Sequence, residues 1–251
     1  MEKIKQLQQD FADFMAKTDF SGQPKELYEP IAYTILQSGK RMRPMLCLLA
    51  NEMFDGDENE ALWPALALET FHNFTLIHDD IMDKAPLRRG KETVYQKWNS
   101  DIAILSGDAM LAKAFQFALQ PKKGAELAQQ LGKVAIEICE GQQMDLNFET
   151  LDNVTIAEYL EMICLKTAVL LATAPANGRY RGRRNASRHP TSLRFRPRHG
   201  HELPAARRYP RPLQRRGGLR QTPWWRHCRQ QEDLPLPESL GASLRKRPQT
   251  P

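Results

Sequence analysis

The first 174 residues predict an all-α domain, and three observations carry that prediction. Apolar residues recur every three or four positions in segment after segment. No stretch alternates apolar and polar residues with a sustained period of two. Capping and helix-start residues also stand where those segments would begin. Near the N-terminus Ile4, Leu7, Phe11, Phe14 and Met15 mark one helical face, with Lys and Gln between them. Similar patterns run from Lys25 to Gln37, Pro44 to Phe54, Glu60 to Met82, Asp101 to Leu119, Gly124 to Leu146 and Thr155 to Ala174. Pro44 suits a first helical turn, where its missing N–H costs nothing, and Asn153 or Thr155 suits an N-cap.

After Ala174 the pattern stops, and the composition changes with it. Residues 1–174 carry 17 Lys+Arg against 26 Asp+Glu, whereas residues 175–251 carry 19 against 4. The front has four arginines (Arg41, Arg43, Arg88, Arg89), and the tail has eighteen together with eleven prolines. One folded domain rarely changes so abruptly, and more than seventy patternless residues do not make a loop. Two units are therefore expected: residues 1–174 as the folded part and residues 175–251 as a disordered tail.

Four scattered cysteines (Cys47, Cys139, Cys164, Cys228) show no metal-ligand spacing. Three of them fall in helical apolar patterns, so buried thiols in a reducing compartment are expected. No signal-peptide pattern opens the chain, which suits a cytoplasmic protein. The most apolar stretch was expected at Tyr159 to Ala174, too short and too charged to span a membrane.

The chemistry concentrates between residues 38 and 90. Asp79-Asp80-Ile81-Met82-Asp83 ends one helical pattern, with Arg88-Arg89 just beyond. On a helix Asp79 and Asp83 stand at i and i+4 and share a side. Asp80 is rotated by about 100° but is near enough to help through a water. Mg²⁺ keeps several waters and commonly bridges one or two carboxylates to substrate phosphates. Pro86 should end the helix and put Arg88 and Arg89 on a loop over the same mouth. Upstream, Ser38-Gly39-Lys40-Arg41-Met42-Arg43-Pro44 sets Lys40 and Arg43 at a helix N-terminus, a natural anion seat. His72, two turns before Asp79, faces the same side.

Together with GKRMRP, FHNFTLIHDDIMD, LRRG, LSGDAML, GQQMDL and LKTAVLLATA, these residues resemble the trans-isoprenyl diphosphate synthases of the polyprenyl synthetase family. The resemblance spans about residues 30–174 and implies an antiparallel helix bundle around a central cavity. It implies that Lys40, Arg43, His72 and Arg89 hold isopentenyl diphosphate. Asp79 and Asp83, with or without Asp80, would hold Mg²⁺ on an allylic diphosphate, which Arg88, Lys166 and Thr167 would contact. Gln142 and Asp145 match the family's polar residues across the cavity, while Asp108 reads as structural. The residues four and five before the first aspartate, Thr75 and Phe74, would meet the growing product, and a Phe there favours chains of fifteen to twenty carbons. Members of the family usually form homodimers.

The implied reaction is an electrophilic alkylation. Charge from metal and guanidinium stabilises departing diphosphate, and the double bond of isopentenyl diphosphate attacks the allylic cation. No side-chain nucleophile is required, in line with the lack of a Ser/His or Cys/His arrangement. A non-catalytic subunit of a two-component synthase is an alternative, although such partners degrade the first aspartate motif, which is intact here. A terpene cyclase would not need the seat formed by Lys40 and Arg43.

The family also requires a second aspartate motif, and none follows Asp83 in this sequence. Codons for Arg207 to Leu213 can spell Asp-Asp-Ile-Leu-Asp-Leu when read one base later. Trp has a single codon, so Trp224-Trp225-Arg226 must spell Gly-Gly in that frame. The expectation is a frameshift near Ala174 to Asn177 and little or no product from the chain as it stands. The rival reading of the tail is an Arg-rich segment for nucleic acid or anionic lipid. It lacks RGG repeats and a helical basic face, so no nucleic-acid partner and no stable membrane insertion are expected.

Overall fold

The computed structural model describes residues 2–179 apart from Ser38 and Asp152, with side chains as far as Ala174. The expectations for the tail, and for Cys228 within it, lie outside the described residues. The described part is helical almost throughout. The helices are α1 (Glu2–Lys17), α2 (Lys25–Ile35), α3 (Met42–Met53), α4 (Glu58–Met82), the short α5 (Val94–Lys97), α6 (Ser100–Leu119), α7 (Gly124–Phe148), α8 (Ile156–Ile163) and α9 (Val169–Arg179).

Helix α4 is the axis of the bundle. It packs against α6 on one side and α3 on another, while α9 lies on α3. Such a helix must be apolar nearly all round. Ala61, Ala65, Leu66, Ala67, Leu68 and Phe71 are all at most 2% exposed. Burying a side chain such as Phe71 is worth about 2–3 kcal/mol. The Asp57 carboxylate caps α4 by accepting from the Asn59 N–H at 3.0 Å, and Glu58 and Glu60 favour its positive end. Of the N-terminal stripe, Leu7, Phe11 and Met15 are buried, and Phe14 meets Trp63 edge to face at 5.0 Å.

Helix α6 is capped by Asn99, whose side chain accepts from the Ile102 N–H at 2.8 Å. It is a second apolar stretch, longer than Tyr159 to Ala174. By length and composition Ser100–Leu119 is apolar enough to cross a membrane, with a mean hydropathy of 1.4 over eighteen residues. Within the bundle it buries Ala103, Met110 and Ala114 completely. Close packing is visible at Gly107, where a Cβ would stand 2.3 Å from the His78 ring on α4.

Two expectations change. Cys47 is buried, but Cys139 is exposed and Cys164 only half-buried. Cys139 follows the buried Ile138 and is turned about 100° away from the core. The single helix expected from Thr155 to Ala174 is interrupted by a π turn at Cys164–Ala168, where the Val169 N–H donates to the Cys164 carbonyl. Its start is as expected: Thr155 Oγ1 accepts from the Glu158 N–H, and the Glu158 carboxylate accepts from the Thr155 N–H at 2.8 Å.

Arg88 and Arg89 belong to a hairpin rather than a plain loop. Leu87–Arg88 pairs antiparallel with Lys91–Glu92, with Arg88 opposite Lys91. Arg89 (φ 52°) and Gly90 (φ 75°) are the two turn residues, both left-handed, as a type I′ turn requires. Strands of two residues are too short to leave an alternating pattern in the sequence.

Candidate active site

The acidic cluster sits at the C-terminal end of α4, the negative end of the helix dipole, so its carboxylates require cationic partners. Asp79 lies in the last turn, and Asp83 is the C-cap, with its N–H donating to the Asp79 carbonyl at 2.8 Å. Asp80 turns inward and is buried. Arg88 Nε donates to its two carboxylate oxygens at 2.8 and 2.9 Å, and Nη2 adds a bond of 2.6 Å. Burial opposes the charge on Arg88, but the bonds to Asp80 and the fields of Asp79 and Asp83 outweigh it and raise its pKa. Asp80 thus anchors the hairpin through Arg88.

Lys166 is the second cation. It projects from the π turn and places Nζ 2.6 Å from Asp145 Oδ2 on α7 and 3.6 Å from Asp79 Oδ1. This approach depends on Gly141, because a Cβ there would stand 2.4 Å from the Lys166 nitrogen. Gln142, the next residue on α7, points its Nε2 at Met82 Sδ from 3.7 Å. Thr167 is exposed on the same π turn.

The basic half of the site forms around His72. Burial lowers the His72 pKa well below 6.5, and the charges of Arg43, Arg89, Arg88 and Arg41 lower it further, in that order. Those are all four arginines of residues 1–174. His72 is therefore a neutral imidazole within a field of guanidiniums, an arrangement suited to a polyanion. Lys40 is exposed just before α3, beside the N-terminal turn that carries Arg43. Gly39 lets the hairpin close in, since a Cβ on it would lie 2.8 Å from Arg89 Nη1.

Sequence reasoning missed the support beneath these groups. Arg41 enters α3 in the left-handed region (φ 47°) and turns its side chain inward. There it donates to the carbonyls of Ile35 and Gln37, both at 2.6 Å, and pairs with the buried Glu69. Asn73 Nδ2 donates to the Glu69 carbonyl at 2.8 Å. Glu69, Asn73 and Asp80, spaced four and seven residues apart, form a polar line on an otherwise apolar helix, and that spacing was visible in the sequence.

Phe74 and Thr75 lie one turn before Asp79. Phe74 is half-buried between the rings of Phe71 at 5.4 Å and His78 at 4.9 Å, and Thr75 Oγ1 donates to the His72 carbonyl. Asp108 faces away from the cluster, 3.8 Å from His78 Nε2.

Among the described residues no three His, Cys, Asp or Glu side chains are grouped so as to hold a metal ion by themselves. Asp79 and Asp83 stand one turn apart, a spacing that fits the one or two carboxylates Mg²⁺ commonly takes beside phosphate oxygens and water.

The fold and the sequence are shared with known proteins. The polyprenyl synthetase family model matches residues 24–191. A geranylgeranyl diphosphate synthase of Methanosarcina mazei is 44% identical over 159 residues, covering 62% of this chain and 49% of that protein. A geranylfarnesyl diphosphate synthase of Natronomonas pharaonis is 40% identical over 171 residues, covering 60% and 50%. A crystal structure of a geranylgeranyl pyrophosphate synthase superposes with a TM-score of 0.68 at 45% identity, covering 70% of this chain and 54% of that one. The chain spans about half the length of the curated relatives it matches. With its family model matched over most of its length, and its helices and charged cluster laid out as described, the chain belongs to the polyprenyl synthetase family.

Proposed function

We propose that this chain carries the diphosphate-clamping part of a prenyltransferase that joins isopentenyl diphosphate to an allylic diphosphate, giving a product of fifteen to twenty carbons. The observation that carries the reading is a single mouth with acidic and basic sides: Asp79 and Asp83 at the end of α4, Arg88 and Lys166 Nζ both 3.6 Å from Asp79, and His72 two turns back in the field of Arg43 and Arg89. Lys40, Arg43, His72 and Arg89 hold the isopentenyl diphosphate. Arg88, Lys166 and Thr167 orient the allylic diphosphate, and Asp79 and Asp83 hold the Mg²⁺ bound to it. When bound, Mg²⁺ neutralises the charge that gathers on the departing diphosphate. The guanidiniums and Lys166 share that task from fixed positions, so little reorganisation is needed as the bond breaks. Phe74 limits product length, and Thr75 lines the same path.

The chain as it stands makes little or no product, because no second aspartate motif follows Asp83. A one-base correction of the coding sequence near residues 174–177 restores it. Radiolabelled isopentenyl diphosphate supplied with geranyl or farnesyl diphosphate tests both forms. Robust condensation by the uncorrected chain, or none by the corrected one, refutes the reading. The coding DNA is a separate check: codons for Arg207 to Leu213 that cannot spell two adjacent aspartates in the next frame exclude the frameshift.

A further inference from the structure

We infer that a single water molecule is built into the fold behind the basic cluster, held by Asn73, and that Asn73 is thereby a positioning residue for the diphosphate clamp. The positioning role rests on the diphosphate reading of the site.

Asn73 is 1% exposed, in the middle of α4. Its Nδ2 donates to the Glu69 carbonyl at 2.8 Å and to Glu69 Oε1 at 3.3 Å. Two acceptors on that side fix which way the amide faces. The other end, Oδ1, is buried and has no hydrogen-bond partner in the protein. Folded proteins rarely leave a buried amide oxygen in that condition, and a water is the usual remedy.

The space for it is present. Asn73 lines a small cavity with about 20 Å³ of room for a water, together with Gln37, Asp80, Arg88 and Arg89. One water requires about 10–15 Å³ and two to four polar neighbours. The volume is enough for one water.

The cavity lies between the two basic segments of the site. Gln37 belongs to the turn whose carbonyl accepts from Arg41, just ahead of Lys40 and Arg43. Arg88 and Arg89 belong to the hairpin pinned by Asp80. A water donating to Asn73 Oδ1 joins the line Arg41–Glu69–Asn73 to the pair Asp80–Arg88. The anion seat and the hairpin are then held in one register by a hydrogen-bonded chain along the buried face of α4.

Two measurements on the full 251-residue chain test this. A crystal structure that resolves ordered solvent should show one water within hydrogen-bond distance of Asn73 Oδ1, and a dry cavity there overturns the inference. Calorimetry with inorganic pyrophosphate and Mg²⁺ should show about tenfold weaker binding in Asn73→Leu and Asn73→Ala. The control is Asn51→Leu, at the far end of α3, where another buried amide oxygen lacks a partner. It should lower the unfolding midpoint comparably while leaving the affinity unchanged. Unchanged affinity in a folded Asn73 variant overturns the positioning role. No binding by the unsubstituted chain overturns the diphosphate reading and the positioning role together, while the water still stands or falls on the density.

Discussion

Lys166 Nζ lies 2.6 Å from Asp145 Oδ2 and 3.6 Å from Asp79 Oδ1, so one ammonium group joins α7 to the acidic end of α4. With a side chain only 17% exposed, it is screened far less than a surface lysine. In a frame-corrected protein, Lys166→Met should lower kcat by about 10²–10³, the usual cost of removing one fixed donor from a developing anion. Steady-state assays check it, and an unchanged kcat would remove Lys166 from the site.

Asp79 and Asp80 are neighbours with opposite duties. Asp80→Asn takes from the half-buried Arg88 its bidentate partner, leaving Asp79 at 3.6 Å as the nearer remaining carboxylate, and should cost about 1–3 kcal/mol of folding stability in urea titrations. Asp79→Asn should cost much less stability while abolishing the Mg²⁺ dependence of pyrophosphate binding. Equal effects of the two substitutions on both measurements would contradict this division.

The His72 pKa sets a pH dependence with a definite sign. The unfolded chain protonates this residue near 6.5, whereas the folded chain resists protonation to well below that value. Its contribution to stability is therefore complete above about pH 6.5 and declines as the pH falls below it. Urea midpoints at pH 7.5 and 5.5 should differ more for the native chain than for His72→Gln. Pyrophosphate should also raise the His72 pKa by offsetting the surrounding guanidiniums, a shift visible by NMR.

Gly141→Ala inserts a methyl group where 2.4 Å separates the ideal Cβ position from the Lys166 nitrogen. Backbone cannot yield as a side-chain tip can, so the cost should be about 1–3 kcal/mol. The ion pairs of Lys166 should be lost with it. Thermal unfolding and a crystal structure of the variant check both effects.

Much of this was legible in the sequence. A 25-residue axial helix shows as a long apolar run closed by charged residues, and Thr155 announces a helix start through chemistry that acts within three residues. That Arg43 lies near His72, and Arg88 near Asp79, could be expected from helical phase and motif resemblance. What escaped were features too short or too private to leave a period. The hairpin offers two residues per strand. The direction of Asp80 depends on a guanidinium eight residues away, and the Arg41–Glu69 pair spans 28 residues. Cys139 was misjudged because an apolar pattern indicates which face is buried only to within about one residue.

The π turn at Cys164–Ala168 means that this helix contains one residue more than its length would ordinarily accommodate. Removing one of the five would restore regular winding with the turns downstream still in phase, and would take away the bulge from which Lys166 reaches the acidic cluster. The lysine that bridges the two aspartates is therefore placed by a miscount in the winding, and a one-residue deletion there would be more damaging than most substitutions.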